Sequence, residues 1–141
     1  MIGINNKVKA SVDTKYISQA LKKISRVLKI KKIDISVVLV GELEMKKLNL
    51  DLRKINKPTD VLSLSYDFDG THLDGEIIIC YPLAKKQASL YHHTIKKELT
   101  ILLTHAMLHL VGYDHQKKKD RHAMQKVEEQ LGANLLQRTL C

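Results

Sequence analysis

The chain has 141 residues, 44% of them hydrophobic, and 24 Lys+Arg against 15 Asp+Glu give it a formal net charge of +9. That length suits one domain over residues 1–141 and is too short for two, and a chain of this size buries roughly two-thirds of its unfolded surface without needing disulfides. No run nears the roughly 18 apolar residues of a membrane span, no signal-peptide core opens the chain, and Cys80 and Cys141 form no ligand pair, so a cytoplasmic protein is expected.

Residues 1–8 read as a first strand with weak alternation. Asp13 suits the N-cap of a helix over 14–29, where Ile17, Leu21, Ile24 and Leu28 form an apolar stripe and Lys22, Arg26 and Lys29 take another face. The β-branched run 33–40 reads as a strand ended by Gly41, followed by a short helix over 42–52. Pro58 breaks the pattern before a strand over 61–66. The polar, glycine-containing stretch 67–74 reads as a hairpin-like connection into a strand over 76–80. Pro82 fits the first turn of a helix reaching Tyr91. A long, largely apolar helix covers 95–111, and an amphipathic helix over 117–131, closed by Gly132, buries Met124, Val127 and Leu131. The sum is an α+β fold: a single domain with a mixed sheet of about four strands packed by helices, the apolar 95–111 helix at its centre.

That central helix carries His105 and His109, and His115 follows, a spacing of H-x3-H-x5-H with Gly112 three residues after the second histidine. Residues four apart on a helix share a face, with Cβ atoms about 5–6 Å apart, so two imidazoles can converge on one ion at about 2.0–2.1 Å. Gly112 can adopt the left-handed conformation that stops a helix and turns the chain back, which lets His115 add a third ligand. Three imidazoles without a fourth side chain describe tetrahedral zinc with one open position, a pattern of chemistry more than of scaffolding. The spacing matches the zinc-peptidase signature H-E-x-x-H-x-x-G-x-x-H at every histidine and at the glycine. Its glutamate falls at Ala106, however, and a methyl group takes no proton from water. The plain alternative is coincidence, with His105 and His109 as satisfied core residues; Gly112 in its place argues against it.

The segment His105-x-x-Leu108-His109-x-x-Gly112-Tyr113-Asp114-His115 resembles the signature of the YbeY family, bacterial metal-dependent endoribonucleases. Leu48-Asn49-x-x-x-Arg53 with Lys57-Pro58-Thr59-Asp60-Val61-Leu62-Ser63 resembles a second element of that family, and Asp74-Gly75-Glu76-Ile77-Ile78-Ile79-Cys80 a third. The likeness covers roughly residues 35–130. Ala106 stands where the family usually has glycine, Leu64 where phenylalanine is frequent, and Asp74 and Glu76 where leucine and aspartate are common. The resemblance implies a single-strand-specific endoribonuclease acting in 16S rRNA 3′-end maturation and ribosome quality control. It also implies RNA and the small ribosomal subunit as partners, with no membrane and no DNA.

A net charge of +9 suits a polyanion of this kind. Attack on a phosphodiester builds charge on the non-bridging oxygens, and a planar guanidinium can hold two of them at once. Arg53 is either a solvated arginine after a helix or, as the resemblance implies, a catalytic residue beside His105. Asp114 is a ligand-orienting acceptor, a base, or a turn aspartate bonded to its own backbone. Asp60, at the head of a strand, reads as structural, and Met124 as helix core more than as a support beneath the metal. His72, His92, His93 and His122 lack ligand spacing and read as surface or loop residues. One Phe, five Tyr and no Trp leave few stacking surfaces, so binding is expected to follow phosphates and shape. Two rival functions remain: a non-catalytic ribosome assembly factor with a structural zinc, and a peptidase-like hydrolase taking its base from Asp114.

Overall fold

Over residues 1–114 and 117–132, which the computed structural model describes, the chain runs β1 (Ile2–Asn6), α1 (Thr14–Val27), β2 (Lys32–Val40), α2 (Glu42–Arg53), β3 (Val61–Phe68), β4 (His72–Cys80), α3 (Tyr81–Leu90), α4 (Ile95–Leu110) and α5 (Lys118–Gln130). The four strands lie in the order β1-β2-β4-β3; β1, β2 and β4 are parallel, and β3 runs antiparallel to β4 at one edge. This is the mixed sheet of an α+β fold.

Two-residue alternation sends the strand side chains to two cores. Ile35, Val37 and Leu39 of β2, with Ile77 and Ile79 of β4, meet Ile17, Leu21 and Ile24 of α1 and the apolar face of α4. Val40, Ile78 and Cys80 turn to the other side and meet Met45 of α2 and Leu62. Each fully buried Ile or Leu contributes about 1.5–3 kcal/mol, and the larger core, on the α1–α4 side, holds most of them. Leu99, Ile101, Leu102, Leu103, Ala106, Met107, Leu108 and Leu110 are all buried, so α4 is the central helix that its composition suggests.

Helix ends and one connection differ from the expected boundaries. Helix α1 stops at Val27 because Lys29 adopts a left-handed φ of 59°, and Ile30 N–H reaches back to the Ser25 carbonyl at 2.9 Å. That closure folds Ile30 into the core. Residues 67–74, expected as a connection, are mostly strand. The reversal is confined to a short turn in which the Asp69 carboxylate accepts from Thr71 N–H at 2.9 Å, Thr71 Oγ1 at 3.0 Å and His72 N–H at 2.8 Å. Gly70 supplies a φ of 97° there. These bonds hold the Asp69 carboxyl down at about 2, and β2 offers a parallel partner from the Lys32–His72 pair onward. His72 is therefore a strand residue, its Nε2 2.7 Å from Asp34 Oδ2.

Gly75 brings the sheet against α4. A Cβ there would lie 2.9 Å from the Leu64 carbonyl oxygen and 3.2 Å from Leu110 Cδ2, so only glycine lets β4, β3 and the end of α4 approach this closely. Ser65 Oγ donates to the Leu110 carbonyl at 3.3 Å and ties the same helix end to β3.

Candidate functional site

The last turns of α4 present His105 and His109 side by side. Their ring centroids are 4.7 Å apart at an interplanar angle of 65°. Both residues are partly exposed on a helix whose flanking Thr104, Ala106, Met107 and Leu108 are buried. The helix ends as the glycine predicts. Gly112 has a φ of 100°, its N–H donates to the His109 carbonyl at 3.0 Å, and Tyr113 N–H donates to the Leu108 carbonyl at 3.1 Å. That pair of bonds is a Schellman closure, which turns the chain sharply away from the axis.

Asp114 follows. Its N–H donates to Asp120 Oδ2 at 3.0 Å and its carbonyl accepts from Lys117 N–H at 3.1 Å, so its backbone is fixed at the entry to α5. His115, the expected third ligand, lies outside the described residues. Among the described residues no group of three or more His, Cys, Asp or Glu forms a cation site.

A cleft of about 440 Å³ opens over the two imidazoles, lined by Arg53, Thr59, Asp60, Ser63, His105 and His109 among others. Arg53 is the last residue of α2 and is exposed. Its place is set by the helix stop behind it: Lys54 takes a φ of 61°, and its N–H donates to the Leu50 carbonyl at 3.0 Å. Asn49, fully buried, donates from Nδ2 to the Lys57 carbonyl at 2.8 Å and so holds the 54–60 loop against α2. At the far end of that loop, the Asp60 carbonyl accepts from Cys80 N–H at 2.8 Å.

Arg53, His105 and His109 thus line one cleft. Paired imidazoles at one wall of a cleft fit a borderline-soft cation such as zinc. Ala106 is buried beside them and lines the same cleft, so position 106 itself supplies no carboxylate. Met124 is buried, in keeping with helix core.

His93 lies in the connection between α3 and α4, as a loop residue, but it is buried there and not at the surface. Its side chain is only 6% exposed, and its Nε2 lies 2.8 Å from Oε1 of the fully buried Glu98. Periodicity gives no sign of this pair. Glu98 inside a largely apolar helix is the signal that points to it, because a buried carboxylate requires a partner.

Comparison with known proteins adds to this geometry. A family model described as Endoribonuclease YbeY matches residues 3–136, a longer stretch than the motifs alone mark out. A protein of Finegoldia magna named Endoribonuclease YbeY is 46% identical over 99 residues, covering 68% of this chain and 65% of that protein, so the match spans just under two thirds of its length. One of the same name from Persephonella marina is 33% identical over 130 residues, covering 89% of this chain and 85% of its own. The solution structure of TM1509 from Thermotoga maritima superposes with a TM-score of 0.61 at 30% identity, over 93% of this chain and 89% of that one.

Proposed function

The chain belongs to the Endoribonuclease YbeY family, and on that premise we propose that it is a zinc-dependent endoribonuclease that cuts single-stranded RNA. Its setting is 16S rRNA 3′-end maturation and ribosome quality control in the cytoplasm, with the small ribosomal subunit as partner. One observation carries the reading: two adjacent imidazoles open onto a cleft that also holds Arg53 and lacks a carboxylate at position 106. His105 and His109 would hold the ion, with His115 as the third donor.

Bound there, zinc supplies a Lewis acid that polarises a phosphate oxygen or lowers the pKa of a water to about 7. The chain's own residues do the rest. Arg53 holds two non-bridging oxygens of the scissile phosphate through its planar guanidinium and stabilises the charge that grows there. The Ser63 hydroxyl lines the same cleft and can donate to a phosphate oxygen. Asp114, whose backbone is pinned by Asp120, would serve as a hydrogen-bond acceptor for a metal-binding imidazole.

Zinc-loaded protein should cleave a single-stranded RNA and leave a duplex of the same sequence largely intact. Chelation should abolish cleavage while the circular dichroism of the helices persists; unfolding on chelation would favour a structural metal instead. RNA affinity should fall with salt at a log–log slope of about −0.7 per phosphate contact, and a flat response would count against RNA as substrate.

A further inference from the structure

Behind the cleft, a row of polar side chains runs from Asp60 into the interior. Glu98 in the first turn of α4 is fully buried, and it pairs with His93 at 2.8 Å. With its amide nitrogen turned toward two carboxylates, Gln87 of α3 donates to Glu98 Oε2 at 2.7 Å and to Asp60 Oδ2 at 3.3 Å. The Thr59 hydroxyl stands 3.5 Å from Asp60 Oδ1. Asp60 in turn lines the cleft with Arg53, His105 and His109.

A carboxylate inside an apolar helix is unfavourable unless it is paired and hydrogen-bonded. His93 meets that need for one Glu98 oxygen. The reach of Gln87 beyond this pair is what calls for another explanation, because a bond to Asp60 adds nothing to the Glu98–His93 contact itself. An amide NH₂ carries two hydrogens in a fixed plane, so one such group on two carboxylates sets the spacing between them. Here it links α4, which carries the histidines, to the loop end that carries Asp60. Contacts on both oxygens restrict rotation of the Asp60 carboxylate, and a group already oriented needs no reorganisation during reaction.

We propose that Gln87 is a positioning residue for the cleft: braced on the Glu98–His93 pair, it orients the Asp60 carboxylate beside His105, His109 and Arg53, and it acts on cleavage through Asp60. The inference rests on the ribonuclease reading above. Asp60, so oriented, accepts a hydrogen bond from a hydroxyl of the substrate or from water in the cleft.

The test uses the full-length, zinc-loaded protein and a defined single-stranded RNA, with wild type, Gln87→Met, Gln87→Asn, Asp60→Ala and the Gln87→Met/Asp60→Ala double variant. Gln87→Asn keeps an amide but is one methylene too short to reach both carboxylates. Either Gln87 variant should lower kcat by about 10–100-fold, the loss typical of removing a supporting hydrogen bond, with KM and zinc affinity unchanged. In the double variant, the loss should equal that of Asp60→Ala alone, because the two residues act as a unit. The Gln87 side-chain amide should give slowly exchanging proton signals in NMR spectra, and Asp60→Ala should speed their exchange. Wild-type kcat in both Gln87 variants, or losses that multiply in the double variant as a general structural role would give, overturns the proposal. A wild type that binds zinc yet leaves RNA intact defeats the ribonuclease reading and the catalytic role of Gln87 with it. The amide signals then report separately on the bridge: rapid exchange in wild type shows that it does not form.

Discussion

The two ends of α4 use histidine in opposite ways. At the N-terminal end, His93 is nearly dry and faces the fully buried Glu98 at 2.8 Å. At the C-terminal end, His105 and His109 are partly exposed, and their rings lie 4.7 Å apart at a cleft. An imidazole locked onto a carboxylate in the interior braces the fold. Two imidazoles one turn apart and open to solvent can share a cation. Burial and the identity of the neighbour separate the two roles, and residue type does not.

Glu98→Ala should sharpen this contrast most. It leaves His93 without its buried partner, and breaking such a pair costs about 3–5 kcal/mol, read as a lower denaturation midpoint at unchanged m. His105→Ala, at the open end, should change the stability of the zinc-free protein far less. Equal losses at the two ends would break the comparison.

Arg53→Ala acts on the open end without touching either helix pair. Cleavage should fall by about 100-fold, as when one charge-stabilising donor is removed, while the melting temperature stays close to wild type. Undiminished cleavage would remove Arg53 from the site.

Gly75→Ala tests how the open end is held against the sheet. Its new methyl meets the Leu64 carbonyl at 2.9 Å and Leu110 at 3.2 Å, so a destabilisation of about 1–3 kcal/mol is expected from overpacking. Because Leu110 directly follows His109, weaker zinc binding should accompany it.

The smallest effect falls away from α4 altogether. The Asp69 carboxyl, depressed from 3.8 to about 2 by the His72 and Thr71 bonds, contributes stability that is fully present above its unfolded value and lost as pH falls toward 2. Asp69→Asn should therefore be less stable than wild type at pH 7, and the gap should close between about pH 4 and pH 2, in acid titrations followed by circular dichroism. A gap that persists at pH 2 would mean that the turn does not depend on the ionised carboxylate.

Much of this architecture was legible in the sequence because it follows local rules. The helical stripe of Ile17, Leu21 and Ile24 and the β-branched run of β2 mark their elements directly, and both side chains of the His105–His109 pair fall where a four-residue spacing puts them. Gly112 predicted its own helix stop, down to the left-handed φ. The 69–71 turn was not legible at its true size, because three hydrogen bonds to Asp69 and the ladder with β2 convert apparently loop-like residues into strand. Nor was the Asp60–Gln87–Glu98–His93 row, whose members come from separate elements with no shared spacing. Only Glu98, a lone carboxylate in the first turn of an apolar helix, carried a sign of it.

The most direct measurement is single-turnover cleavage of a defined single-stranded RNA by metal-loaded wild type and His109→Ala, with bound zinc measured on the same samples. The account predicts one zinc per wild-type chain, with cleavage, and a variant that keeps its fold but loses both, by at least about 100-fold in rate. A His109→Ala protein that cuts RNA at the wild-type rate without zinc would contradict it.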